Sequence, residues 1–169
     1  AGKWSDRTGQ SSCKFCGAGR WSNETGLKTE SACKACSVGK WSDSSGQQSE
    51  TTCMFCSAGK WSDETGEDAC KPCGMGRWSD QIGLKTESAC HSCAAGKWSD
   101  NLGQQSEKTC IPCTAGKWSD QLGQHSCKPC AAGKRSNQIR QTSESACQPC
   151  DLGMWADQVG QSLCKVCMG

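Results

Sequence analysis

Tyrosine is missing from this chain of 169 residues, phenylalanine and histidine occur twice each, and proline four times. Leu, Ile and Val are few and scattered. Ordering a residue costs roughly 1.5 kcal/mol of conformational entropy, which so little aliphatic mass cannot offset by burial alone. An ordinary hydrophobic core is thereby excluded as the main source of stability. No apolar stretch approaches the roughly 20 residues of a membrane-spanning helix, so membrane insertion is not expected. Charge of one sign is also scarce in any one place. The 19 Lys and Arg are interspersed among 17 Asp and Glu for a net charge of +2, and no nucleic-acid partner is expected. His91 and His125 stand alone, no Ser-His-Asp set or carboxylate pair recurs at a fixed place, and repetition argues against a single active site. No catalytic residue, metal site or cofactor is assigned, and the chain is not expected to be an enzyme.

What is present is 18 Cys, 20 Gly and 8 Trp. Cysteine above about a tenth of a chain marks a disulfide scaffold of the secretory route, or less often a metal array. The first Cys of each Cys-x-x-Cys falls at 13, 33, 53, 70, 90, 110, 127, 147 and 164. Nine tandem repeats follow, at residues 1–17, 18–37, 38–57, 58–74, 75–94, 95–114, 115–131, 132–151 and 152–168, forming one continuous array. Each reads small-Gly-Lys/Arg-Trp-Ser-Asp/Asn-x-x-Gly, then an arm, then Cys-x-x-Cys. The long arm has three residues more than the short one and carries Glu30, Glu50, Glu87, Glu107 or Glu144. Short, long, long recurs with a period of 57, seen in "LKTESAC" at Leu27 and again at Leu84. Two readings of this triplet stand side by side: a solenoid turning about a third of a revolution per repeat, or recent duplication without geometric meaning. The pattern frays in repeat eight, where Arg135 replaces Trp and Arg140 replaces the turn Gly. Ala1 opens inside the motif and Gly169 closes just after a Cys-x-x-Cys, so both ends read as cut or made to join another repeat.

Asp-x-x-Gly fits a type I turn, with the Asp carboxylate expected to cap backbone donors. One carboxylate per turn is too few for calcium, which takes six to eight oxygens. No stretch shows helical apolar spacing. The expected fold is small, disulfide-rich and mostly irregular with short β-hairpins, a linear solenoid-like rod. Trp is expected on a disulfide or on the next repeat's backbone, and the preceding cation against a Trp face or a long-arm Glu.

Four chemistries compete for the cysteines. Zinc fits formally, because Cys16 and Cys33 bracket 16 residues as in a zinc ribbon. A ribbon uses two pairs per ion, however, and nine pairs leave one over. Haem attachment needs His after the second Cys, and none is there. Thioredoxin-type exchange needs a helix start in a βαβ unit, which the pattern lacks. Under disulfide bonding, the scheme that treats all repeats alike joins Cys16 to Cys33, Cys36 to Cys53, Cys56 to Cys70, Cys73 to Cys90, Cys93 to Cys110, Cys113 to Cys127, Cys130 to Cys147 and Cys150 to Cys164. Cys13 and Cys167 are left for neighbouring repeats or chains. Each closed loop contributes roughly 3 kcal/mol by the chain-entropy estimate.

Cys-x-small-Gly-Lys/Arg-Trp-Ser followed by Cys-x-x-Cys resembles the ephrin-receptor-like cysteine-rich repeat. It is also similar to the first loop module of tumour necrosis factor receptor domains. The resemblance covers all nine repeats, weakly in the eighth. It implies extracellular rods in which each second Cys bonds the next first Cys. This chain departs by placing Trp where those repeats usually have Tyr, and a small residue where Pro is common after the Cys. It also lacks the six-cysteine grouping of the receptor domains. No ligand-contact residue carries over.

Asn23, in "NET", is the one N-glycosylation acceptor motif and lies in a turn. Before the turn Gly stand Thr8, Thr25, Ser45 and Thr65 in the first four repeats, but Ile82, Leu102, Leu122, Ile139 and Val159 in the last five, Ile139 preceding Arg140 in place of the Gly. Five apolar tips in series are expected either to form a contact stripe or to fold back onto their own Trp. The reading is a secreted or cell-surface structural protein, a protomer or segment of a filament or appendage, whose partner is another copy of itself joined head to tail. A receptor or adhesin stalk that binds another protein through its tips is the alternative, and a zinc-binding cysteine array the third.

Overall fold

The computed structural model describes residues 1–168. Among them there is no α-helix, and the regular structure consists of nine two-stranded antiparallel hairpins with a 3-10 turn in each long arm. A hairpin pairs the Lys/Arg-Trp dipeptide of a repeat with the two residues between its own cysteines. Lys3 faces Phe15 and Trp4 faces Lys14 in the first, and Lys117 faces Pro129 and Trp118 faces Lys128 in the seventh. Strands this short are marginal alone, and the chain must stack and cross-link them.

The residues just before each hairpin explain how one repeat passes to the next. After the second Cys the chain makes a tight turn closed by hydrogen bonds such as Lys40 N to Ser37 O at 3.0 Å and Lys97 N to Ala94 O at 3.0 Å. Gly39 and Gly96 stand third in these turns at φ +77° and +76°, the left-handed conformation a type II turn demands there. The motif glycine is thus a turn residue in its own right, a role that the Asp-x-x-Gly reading of the sequence passed over.

Internal contacts divide the chain into two units: Ala1–Cys73 with Ser79–Cys90, and Gly74–Trp78 with His91–Gly169. In the first, each repeat bonds its next neighbour through the Gly before the cation, as in Gly19 N to Ser42 O at 2.7 Å, and through the Ser after Trp, as in Ser22 N to Gln47 O at 3.0 Å. It also bonds the second neighbour: Gly46 N donates to Cys16 O and Gly66 N to Cys36 O, both at 2.8 Å. The second unit repeats the scheme with Gly96 N to Ser119 O at 2.8 Å, Gly123 N to Cys93 O at 2.8 Å and Arg140 N to Cys113 O at 2.7 Å. Short-armed and long-armed repeats make these contacts alike. The triplet of the sequence is a period of arm length, and these bonds run to the second neighbour, which favours the duplication reading over a turn of a third of a revolution per repeat.

The interior consists of what the sequence has in abundance. Apart from Leu84 and Ala156, the buried apolar residues are all cysteines, and the buried polar ones are the serines that follow the Trp or Arg, Ser22, Ser42, Ser62, Ser79, Ser99, Ser119 and Ser136. Seven of the eight tryptophans are only half-buried, and Trp155 is exposed. In the first unit Trp61 packs on Leu84 and the Cys73–Cys90 disulfide, and parallel bridges join Trp4 to Leu27 and Trp21 to Gln47 in the next repeat.

Candidate functional site

The disulfides run from each second Cys to the first Cys of the following pair: Cys16–Cys33, Cys36–Cys53, Cys56–Cys70, Cys73–Cys90, Cys93–Cys110, Cys113–Cys127, Cys130–Cys147 and Cys150–Cys164. Cys13 and Cys167 are free and exposed. No Cys-x-x-Cys therefore keeps both thiols, and a zinc array, which needs thiolate pairs, is incompatible with this pairing. Loops closed over a short arm span 14 positions and those over a long arm 17, yet the Cα atoms of the bonded cysteines stay 5.5 to 6.0 Å apart throughout. The three extra residues are taken up by the 3-10 turns Glu30–Ala32, Glu50–Thr52, Glu87–Ala89, Glu107–Thr109 and Glu144–Ala146. Each turn returns the Cys amide to the Glu carbonyl, as in Cys33 N to Glu30 O at 2.9 Å. Arm length thus changes without disturbing the ladder.

Side chains outside the ladder pair largely by arm type, although Lys34 in long repeat two lies over Trp21 and binds Glu24 as the short repeats do. In the short repeats the Lys after the first Cys lies over the Trp across the strand pair and also binds the Asp two residues after that Trp. Lys14 sits 4.5 Å from the Trp4 ring and 3.3 Å from Asp6; Lys128 sits 4.7 Å from Trp118 and 2.7 Å from Asp120; Lys71 and Lys165 do the same with Trp61 and Asp63 and with Trp155 and Asp157. The Asp carboxylate is therefore used on a cation. The cap expected of it comes from the neighbouring Ser in long repeats two and five, where Ser22 Oγ accepts from Glu24 N and Ser79 Oγ from Gln81 N at 3.1 Å; in the short repeats the Ser instead donates to a turn carbonyl, as Ser5 Oγ does to Arg7 O at 2.9 Å. In long repeats three, six and eight the Lys before the Trp position reaches back to the arm, with Lys40 on Glu50, Lys97 on Glu107 and Lys134 on Glu144.

These pairings set the electrostatics. The Lys71 ammonium holds the Asp63 carboxyl below its ordinary value, and Lys128 does the same to Asp120 and Lys97 to Glu107. Asp63 in turn holds Lys71 above the usual lysine value. Asp63, Glu64 and Glu67 gather their carboxylates within 4.8 Å of one another, but Lys71 binds two of them, so the group is a cation-filled corner of the hairpin. Asn23 is exposed, its side-chain oxygen 3.4 Å from Lys34 Nζ. The tips Leu102, Leu122, Ile139 and Val159 in the second unit and Ile82 in the first are 58 to 68 % exposed. Repeat eight carries a feature the repeat pattern hid: without the indole, Arg135 borders an open polar cleft with Ser136, Asn137, Gln138, Gln141, Ala146 and Gln148.

A ladder of hairpins, each stapled to the next and built around Cys, Gly and Ser, defines a cysteine-rich tandem repeat domain, and one stretch of it is similar to the ephrin-receptor-like repeat. Residues 104–147, from the arm of repeat six to the first Cys of repeat eight, match the family model described as tyrosine-protein kinase ephrin type A/B receptor-like. No curated protein matches the chain.

Proposed function

We propose that this chain is a structural repeat protein of the extracellular space or cell surface, a protomer or segment of a filament or appendage that grows head to tail. The observation that carries the reading is a contact filled inside the array and open at its edges. Gly96 and Gly116 lie against the backbones of Arg140 and Gly160, two repeats on, so closely that a Cβ on either would clash. Gly133 and Gly153 have nothing within 4 Å, and neither do the turn glycines Gly9 and Gly26, the complementary halves of the same contact. A further pair of repeats of this kind fits both faces, on a second copy or on a continued chain, and Cys167 would then staple to a Cys13. Eight disulfides support an oxidising compartment. Asn23 is the position for an N-glycan there, and the chain's role is structural, with no catalytic residue assigned.

Light scattering and non-reducing peptide mapping of the oxidised protein test this. The expected result is concentration-dependent growth with a Cys13–Cys167 peptide linking two copies. A monomer at every concentration, with both thiols free, overturns it. The second reading is a stalk that binds another protein through the exposed tips. A stalk stays monomeric and loses its ligand when Leu102, Leu122, Ile139 and Val159 are replaced by Ser.

A further inference from the structure

Seven cations among the described residues are half-buried: Arg20, Lys40, Lys71, Arg77, Lys97, Lys134 and Arg135. Arg20 donates to Cys33 O at 3.3 Å, and Lys40, Lys71, Lys97 and Lys134 bind Glu50, Asp63, Glu107 and Glu144. Arg77 is also engaged. Arg135 stands apart, with no ion pair, hydrogen bond or ring contact. Its guanidinium nitrogens stay in reach of solvent with every donor unused, ready for an incoming acceptor.

Its surroundings indicate what. Arg135 occupies the Trp position and pairs with Gln148 where short repeats have Trp with Lys. The missing indole leaves a cleft of about 190 Å³, lined by side chains that carry hydrogen-bonding groups and one methyl. No carboxylate lines it, because Glu144 is bound to Lys134. The amides are already oriented. Gln148 donates to Ser145 O at 2.8 Å, and Gln141 donates to the Gln138 side-chain oxygen at 3.1 Å and to Ile139 O at 3.2 Å. Those bonds leave the Gln148 and Gln141 oxygens as acceptors, and the Gln138 nitrogen and both ends of the Asn137 amide unclaimed.

The cleft therefore offers one planar cation, fitted to a carboxylate in a two-pronged bond, beside fixed donors and acceptors. That combination matches a small polyol bearing a single carboxylate. We propose that repeat eight is a binding site for a uronic acid residue of an acidic saccharide, with Arg135 on the carboxylate and Asn137, Gln138, Gln141 and Gln148 on the hydroxyls. The loss of the Trp is then a gain of function in one repeat. The site lies within that repeat, so it stands or falls independently of assembly between copies.

The test is an NMR titration of the intact oxidised protein with trigalacturonic acid, with maltotriose as the neutral control and sodium acetate as the bare carboxylate. The expected result is saturable shifts of the Asn137, Gln138, Gln141 and Gln148 side-chain amides with trigalacturonate and none with maltotriose. R135Q should weaken binding at least tenfold. R135W, which restores the residue of the other eight repeats and fills the cleft, should abolish it while leaving the disulfide map unchanged. Absence of shifts overturns the proposal, as does binding that survives R135W. Acetate that reproduces the whole pattern at equal concentration also overturns it, because the amides would then recognise no sugar.

Discussion

Repeat seven places Trp118 beneath Lys128, which also binds Asp120, whereas repeat eight puts Arg135, Gln148 and Asn137 at the same three places. Its turn glycine, Gly123, is matched in repeat eight by Arg140. The backbone ignores all four changes. Gly123 N reaches Cys93 O at 2.8 Å and Arg140 N reaches Cys113 O at 2.7 Å, and both hairpins form in the same register. The Trp–Lys–Asp set is thus decoration on a frame held by disulfides, serines and glycines. A repeat can change its surface chemistry without losing its place in the stack.

The frame should fail first where it is covalent. Replacing Cys113 and Cys127 together by Ser is expected to cost about 3 kcal/mol, and the pair Cys130 and Cys147 about the same, the longer loop of repeat eight adding only about 0.2 kcal/mol. Denaturant unfolding of the two double variants measures both. Losses that differ by more than about 1 kcal/mol would mean that the 3-10 turn of the long arm, and not loop closure, governs the staple.

The next effect separates the two repeats. Gly116 and Gly133 share a backbone, at φ +81° and +80°, but a Cβ at Gly116 meets the Gly160 backbone while one at Gly133 meets nothing within 4 Å. Both alanine variants bear the left-handed penalty of roughly 1–2 kcal/mol. Gly116→Ala should lose at least about 1 kcal/mol beyond that, because backbone cannot yield as a flexible side chain does. Equal losses by thermal unfolding would show that contact with the second neighbour contributes nothing.

Arg140 has φ +61°, the one positive value at a residue other than glycine among the described residues. Arg140→Gly should stabilise by about 1 kcal/mol through relief of that conformation, read as a raised Tm. An unchanged Tm would place the strain elsewhere.

Periodicity made the hairpins legible, because a strand-turn-strand unit of this length leaves one place for each pair and nine copies average out local noise. The pairing of Lys40, Lys97 and Lys134 with long-arm Glu followed from alternation along an extended strand, and so did the placing of Trp61 on a disulfide. The partners of Asp6, Asp63, Asp120 and Asp157 did not. They depend on the cross-strand register, which sets Trp4 opposite Lys14, and register is a property of the turn between them. A signal existed: Lys follows the first Cys in all four short repeats but in only one long one, Lys34. The cleft at Arg135 was hidden for the opposite reason. A departure from a repeat looks like decay until its surroundings show a half-buried cation without a counter-charge.

The smallest expected effect is a titration. Asp120 is held below the ordinary carboxylate value by the Lys128 ammonium, with burial opposing. A carboxylate depressed in the folded state lends stability above its unfolded value and loses it as the pH falls through the lower folded value. The contribution should therefore be complete at neutral pH and disappear only on the acid side of the usual Asp range. Carbon-detected NMR of the carboxyl should place the Asp120 midpoint below that of the same group in Lys128→Gln, where the midpoint returns upward. Asn137, at the same position in repeat eight, has no proton to lose, so the Arg135 cleft should keep its geometry through that range while the Trp118–Lys128–Asp120 set loosens. Identical Asp120 midpoints in the two proteins would mean that Lys128 is held by the Trp118 ring alone, and that the two repeats differ less in electrostatics than in shape.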